Sequence, residues 1–235
     1  MGLAGVLAAR DGVLEIFNTI QGEGPHTGRF ATFVRFSNCN LQCSWCDTPY
    51  TWRFEGPLRG EFVKQEQQRI VPLAELIARV AVGGDLIVLT GGEPLMQKEV
   101  ITALIDRYPM RSFQIETNGT IAPLEPRSNV SYVASPKLMN SNNRNAIKIS
   151  ALQELAERGA DFKFVVESRG DVQEAADLVT NLGIKPSKVW LMAEGTHADD
   201  LLSQVAGNLA DEAISRGWNF STRLHVLLWG NERMK

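Results

Sequence analysis

The chain has 235 residues, of which 44% are hydrophobic and 22% charged. That length supports one sizeable core, so a single domain over residues 1–235 is expected. A formal net charge of −3 argues against nucleic acid as a partner, because phosphate backbones are bound by basic surfaces. No apolar run approaches the roughly 20 residues that a membrane span needs.

MGLAGVLAARDGVLEIF comes first in chain order. It has no leading basic cluster and Asp11 interrupts it, so a cytoplasmic chain is expected rather than a secreted one. MGLAGV also fails the myristoylation pattern M-G-x-x-x-[ST]. QGEG (21–24) follows, ahead of what reads as the first strand. Short runs rich in β-branched or aromatic residues predict strands at ATFVRFS (31–37), LIVLT (86–90), FQIET (113–117), SYVAS (131–135), FKFVV (162–166) and VWLMA (189–193).

Helical patterns lie between most of these strands. PLAELIARVAVG (72–83) places Pro72 in a first turn, and MQKEVITALIDRYP (96–109) stops at Pro109. DVQEAADLVTNLG (171–183) opens with Asp171 as N-cap, followed by Glu174, and closes at Gly183. Its Val172, Ala176, Val179 and Leu182 share one face. Residues 50–71 and 136–146 read as polar loops, the second a mobile one. RLHVLLW (223–229) reads as a last strand closing an edge. Strands joined by helical crossovers predict an α/β fold with about six parallel strands, either an open doubly wound sheet or an incomplete barrel.

All three cysteines of the chain lie in NCNLQCSWCDTPYTW (38–52), where Cys39, Cys43 and Cys46 are spaced C-x3-C-x2-C. An odd number excludes a complete set of internal disulfides, and clustered thiols point to metal or redox chemistry. A structural zinc site would need His26, His197 or His225 as its fourth ligand. A [4Fe–4S] cluster held by three thiolates would keep one iron open to a small molecule. The loop follows strand 31–37, at the end of the strands where α/β folds place their chemistry. In LTGGEP (89–94), Gly91 and Gly92 let backbone approach a ligand, and Glu93 offers an acceptor for an ammonium. Arg35 sits inside a strand pattern, where a guanidinium either meets an anion or points to solvent. It is suited to a bidentate carboxylate contact.

Cys39-x3-Cys43-x2-Cys46, with Trp45 before the last cysteine, resembles the radical S-adenosylmethionine (SAM) superfamily. In that superfamily the open iron chelates the amino and carboxylate groups of SAM, and an electron cleaves the sulfonium to a 5′-deoxyadenosyl radical. LTGGEP is similar to the superfamily's GGEP segment. The stretches IQGEG, VRFSNCNLQCSWCDTPYTW, VLTGGEP, QIETNGT and SPK together resemble the 7-carboxy-7-deazaguanine synthase family. They run from about residue 17 to 138.

That resemblance implies a reduced, incomplete TIM-like barrel. It also implies conversion of 6-carboxy-5,6,7,8-tetrahydropterin to 7-carboxy-7-deazaguanine with loss of ammonia, the step that makes the deazapurine of queuosine. The implied cofactors are a [4Fe–4S] cluster on Cys39, Cys43 and Cys46, SAM, and Mg2+ at Thr48, whose hydroxyl suits a hard cation. For SAM it implies Gly92, Glu93, Ser135, Pro136 and Lys137, with Glu194 in LMAEG as a further candidate. For the substrate it implies Ile20, Gln21, Gly22, Arg35 and Thr90. Glu23 is the candidate partner of the pterin's guanidine-like edge, and His225 a candidate further contact. Glu116 is assigned to the SAM ribose or a network beside the cluster. An electron donor such as flavodoxin or ferredoxin and a homodimer also follow from the resemblance.

The chain departs from the family in two places. Many relatives carry Q-P where it reads Met192, Ala193, Glu194 and Gly195, and Q-T-H where it reads Arg223, Leu224, His225. Two alternative functions fit the cysteines. A glycyl-radical-activating enzyme shares their spacing but acts on a protein, which would leave QGEG and Arg35 without a role. A zinc-stabilised binding module would have no catalytic role.

Overall fold

The computed structural model describes residues 2–54 and 62–235. The N-terminal part forms β1 (Ala4–Arg10), β2 (Val13–Leu14), β3 (Ile16–Ile20) and β4 (Phe30–Phe36). After the cysteine loop come α1 (Lys64–Gln67), β5 (Gln68–Pro72), α2 (Leu73–Val80), β6 (Leu86–Gly91), α3 (Lys98–Arg107), β7 (Ser112–Thr117) and β8 (Val130–Ala134). The remainder is α4 (Ile149–Glu157), β9 (Asp161–Val166), α5 (Arg169–Leu182), β10 (Val189–Ala193), α6 (Ala198–Leu201), α7 (Gln204–Ser215), β11 (Asn219–Ser221) and α8 (Leu224–Trp229).

One sheet runs in the order β11-β10-β9-β8-β7-β6-β4-β1-β2, and every pairing from β4 to β11 is parallel. The six predicted strands are β4 and β6 to β10, in the expected order. At the β4 end the sheet turns antiparallel. β3 pairs with β4 from Ile16↔Val34 to Ile20↔Phe30, and β1 pairs with both β4 and β5. QGEG is therefore preceded by three strands that the pattern did not predict. GLAGVLAAR is rich in Gly and Ala, residues with little intrinsic strand signal, yet Leu7, Ala8 and Ala9 are fully buried.

Alternation along the parallel strands sorts side chains to two sides. Val34, Phe36, Ile87, Leu89, Ile115, Phe162 and Phe164 pack with the helices in one continuous core. Arg35, Gln114, Glu116 and Lys163 stand between them in sequence and project to the other side of the sheet. Helix α5 shows the covering layer. Val172, Ala176, Val179 and Leu182 are buried as predicted, and Ala175 and Leu178 widen the stripe. Burying each Val or Leu of that face contributes about 1.5–3 kcal/mol.

The helix begins earlier than its pattern suggests. Ser168 is its N-cap, and Asp171 is the third residue of a reciprocal capping box. Gly183 ends it at φ +62, as expected. Pro72 is the residue before α2 rather than part of its first turn. A 3₁₀ turn, Pro94–Gln97, precedes α3.

Three other expectations are corrected. RLHVLLW is a helix, not a strand, and the seventh parallel strand is the short β11 just before it. An apolar run this short fits either period. Its backbone is drawn into a turn where Leu224 N–H donates to Gly22 O at 2.9 Å. Residues 50–71 contain α1 and β5, with 55–61 outside the described residues. The 136–146 segment is tied down rather than free: Leu138 and Ser141 are buried, and Asn143 bonds into the cysteine loop.

Candidate functional site

The glycines after β6 join its end to the cysteine loop. A Cβ on Gly91, at φ +122, would lie 1.9 Å from Phe36 O, and one on Gly92 would lie 2.0 Å from Asn38 O. Close approach there allows Gly92 N–H to donate to Phe36 O at 3.0 Å and Glu93 N–H to Asn38 O at 2.9 Å. Cys39 therefore starts from a fixed backbone.

A cavity of about 550 Å³ opens where the parallel strands end. Cys39, Cys43 and Cys46 line one side of it, and Ile20, Gln21, Gly22, Glu23, Arg35, Thr90 and His225 line it as well. Thr48, Gly92, Ser135 and Lys137 also reach it. Three predicted contacts do not. Pro136 is buried beside it, Glu194 is half-buried past the end of β10, and Glu93 lies fully buried beneath it. The Glu93 carboxylate accepts from Leu95 N at 2.9 Å, Asn118 N at 2.7 Å and Thr117 Oγ1 at 2.9 Å, and burial raises its pKa. In this arrangement it braces the strand ends.

Every cysteine sulfur has a donor. Asn143 Nδ2 donates to Cys43 Sγ and Trp52 Nε1 to Cys46 Sγ, both at 3.3 Å. Leu41 N–H approaches Cys39 Sγ at 3.5 Å. Burial pushes the Cys39 thiol up to about 12, with its neighbours Cys46 and Cys43 adding to the effect. Lys137 Nζ stands 5.2 Å from the Trp45 ring centre and donates to Ser135 Oγ at 2.9 Å.

A chain of buried charges lines the same cavity. Lys163 Nζ pairs with Glu23 and, at 3.1 Å, with Glu116 Oε2. Gln21 Nε2 and Gln114 Nε2 donate to Glu116 Oε1 at 2.8 and 2.7 Å. Glu116 thus belongs to this network and also lines the cavity. Arg223 bridges Glu23, 3.4 Å away, and Asp47 at 3.0 Å. Burial alone would raise the Glu23 carboxyl, but Lys163 and Arg223 hold it well below the ordinary carboxylate range. Burial lowers His225, so its imidazole is neutral at pH 7. His225 packs so closely on Gly22 that a Cβ there would come 2.1 Å from its Nδ1.

Arg35 makes one ion pair, and its guanidinium carbon lies 6.0 Å from the Phe17 ring centre. Its Nε lies 2.7 Å from Glu15 Oε2, an ion pair too poorly aligned for a hydrogen bond. Its terminal nitrogens make no hydrogen bond among the described residues. Lys163, Arg223, Asp47, Glu15, Asn143 and Trp52 were all missed in the sequence. Only Lys163 had a usable signal there, a charge at an inward position of FKFVV.

Three thiols around a cavity beside glycine-lined backbone fit a radical SAM protein, and residues 33–128 match the model of the radical SAM superfamily. The 7-carboxy-7-deazaguanine synthase of Hyperthermus butylicus is 36% identical over 228 residues, covering 92% of this chain and 92% of that protein. The enzyme of that name from Rhodopirellula baltica is 33% identical, covering 94% and 87%. QueE from Escherichia coli has the same fold, with a TM-score of 0.70 at 24% identity over 94% of this chain and 95% of that one. SuiB of Streptococcus suis bound to S-adenosylmethionine is a more distant neighbour, with a TM-score of 0.51 at 16% identity over 83% and 53%. The chain belongs to the 7-carboxy-7-deazaguanine synthase family. The incomplete barrel expected from the sequence is the fold it has.

Membership implies a [4Fe–4S] cluster and SAM, and the residues fit both. Thiolates are the soft ligands iron–sulfur clusters take. All three cysteines line one cavity, and each sulfur receives an N–H. Beside the thiols, Gly92 and Ser135 offer polar backbone or hydroxyl groups to a bound nucleoside.

Proposed function

We propose that this protein converts 6-carboxy-5,6,7,8-tetrahydropterin to 7-carboxy-7-deazaguanine with release of ammonia. The observation that carries the proposal is the unpaired fork of Arg35 in the same cavity as the three cysteine thiols. A guanidinium presenting its terminal nitrogens is matched to a carboxylate. Identity to curated relatives of that name over nearly the whole chain supports the same reading.

Cys39, Cys43 and Cys46 hold the cluster in this proposal, and Gly92, Ser135 and Lys137 surround SAM, with Pro136 buried behind them. Glu93 acts through the backbone it braces, and Glu194 is the outlying SAM candidate. When bound, the cluster and SAM would supply radical hydrogen-abstraction chemistry at C6 of the pterin. Arg35 binds the substrate carboxylate and so orients C6 toward the cluster side of the cavity. Ile20, Gln21, Gly22 and Thr90 line the substrate's place, with neutral His225 packed behind Gly22. Glu23, already shared by two cations, accepts from the pterin's N–H edge. Thr48, two residues beyond Cys46, offers a hydroxyl to Mg2+. A flavodoxin- or ferredoxin-type electron donor, a homodimer and a cytoplasmic location complete the proposal. No helix among the described residues is long and apolar enough to cross a membrane.

The test is anaerobic incubation of reduced protein with SAM, Mg2+ and carboxytetrahydropterin. Formation of 7-carboxy-7-deazaguanine with an equivalent of ammonia is expected. SAM cleavage without that product would overturn the substrate assignment.

A further inference from the structure

We infer that Glu15 couples recognition of the substrate's carboxylate by Arg35 to closure of residues 231–235 over the cavity, with Arg233 as the second arm of the coupling. The inference rests on the pterin reading of the site and deepens it.

Glu15 is fully buried between β2 and β3. Its two oxygens serve two different parts of the chain. Oε2 faces Arg35 Nε at 2.7 Å and receives the Tyr50 hydroxyl at 3.3 Å. Oε1 receives Arg233, through Nε at 2.6 Å and through Nη2. Arg233 is further fixed by Gln67 Oε1 at 2.8 Å, by Ala9 O at 3.0 Å, and by the Tyr50 ring, 3.6 Å from its guanidinium carbon. Burial pushes the Tyr50 hydroxyl up to about 12, so it remains a donor. Asn231, Glu232, Arg233, Met234 and Lys235 all line the cavity that holds Arg35. One carboxylate thus fastens both Arg35 and a segment that lines the same cavity.

The charges set the direction of the coupling. Two guanidiniums share this one carboxylate, and Asp47 is a further acid whose charge acts on Arg35. Arginine favours a two-pronged grip on a carboxylate. Arg233 occupies Oε1, so Arg35 is limited to the contact on Oε2 and keeps its terminal nitrogens for a ligand. A bound substrate carboxylate neutralises Arg35 and draws it from Glu15. Glu15 is then left to Arg233, and the 231–235 segment tightens. Without Arg233, the freed Oε1 invites Arg35 to turn its fork onto Glu15 and away from the cavity.

The experiment uses anaerobically reconstituted holoenzyme and the variants Arg233→Ala, Arg233→Lys, Arg35→Ala and the double variant with both alanines. Hydrogen exchange at residues 231–235 is read without substrate, and KM and kcat are read with carboxytetrahydropterin. Arg233→Ala should speed exchange there and raise KM by about tenfold or more, the scale of one lost charge-assisted hydrogen bond, while changing kcat less. Arg233→Lys should recover part of both. Arg35→Ala should slow exchange at 231–235, since Arg233 then has Glu15 to itself. The double variant should have a KM no worse than Arg35→Ala alone.

KM effects that multiply in the double variant, or unchanged exchange in Arg35→Ala, would overturn the coupling. A wild-type protein that does not turn over the pterin would overturn the substrate reading instead. The exchange comparison, made without substrate, would still decide whether Arg35 and Arg233 compete for Glu15.

Discussion

Replacing Lys163 by methionine removes the cation between Glu23 and Glu116 and keeps most of its volume. Breaking one side of a buried ion pair costs about 3–5 kcal/mol, because a charge is left desolvated. Here both carboxylates retain partners. Glu23 keeps Arg223 at 3.4 Å, and Glu116 keeps the Gln21 and Gln114 amides at 2.8 and 2.7 Å. The low end, about 3 kcal/mol, is therefore expected. At about 2–4 °C per kcal/mol for a domain of this size, the unfolding midpoint should fall by about 6–12 °C at pH 7.

The pH dependence has a definite sign. Glu23 is held below its ordinary value of 4.5, so its stabilising contribution is present above that pH and is lost as the pH falls through the depressed folded value. The variant has less of that contribution to lose. The gap between variant and wild type should be constant from pH 8 to about 5 and should narrow only as the pH drops below 4.5. Anaerobic differential scanning calorimetry of the holoenzyme reads both quantities. A midpoint shift under about 2 °C at pH 7, less than one kcal/mol on this scale, or a gap that widens on acidification, would refute the account of Lys163 as a buried counter-ion.

Three further outcomes follow from the cavity. Gly92→Ala would put a methyl 2.0 Å from Asn38 O, so the cysteine loop must move; iron content and SAM cleavage should both fall sharply, and full retention of either would count against the locked backbone. Asn143→Ala and Trp52→Phe each remove a donor that stands 3.3 Å from a cysteine sulfur. Each should shift the cluster's midpoint potential to more negative values, because donors to the sulfurs stabilise the reduced, more negative cluster; potentiometric titration followed by electron paramagnetic resonance measures this, and an unmoved midpoint in both variants contradicts it. Thr48→Ala should raise the Mg2+ concentration needed for half-maximal turnover while leaving SAM cleavage without substrate intact, and an unchanged Mg2+ curve would remove Thr48 from the metal's shell.

What could be read from the sequence depended on how far apart the partners are in the chain. The six parallel strands were legible because each is a short run rich in β-branched or aromatic residues, with helical patterns between most of them. The cysteine loop was legible because its ligands are adjacent in sequence. Arg35 was found as a charge inside a strand, and the same alternation rule applied to FKFVV and FQIET points Lys163, Gln114 and Glu116 to the same side. The first strand escaped because Gly and Ala carry little strand preference, and its burial comes from neighbours still to be placed. Glu15 and Arg233 escaped for a stronger reason. They are 218 residues apart, and no local pattern marks either as half of a pair. A charged residue in a loop reads as solvated surface until the fold buries it. What such residues do is set by topology: the antiparallel strands at the β4 end place Glu15 beside Arg35, and the chain after α8 brings Arg233 to it. The substitutions that most alter substrate affinity should therefore include residues outside every recognisable motif, with Arg233 the first to examine.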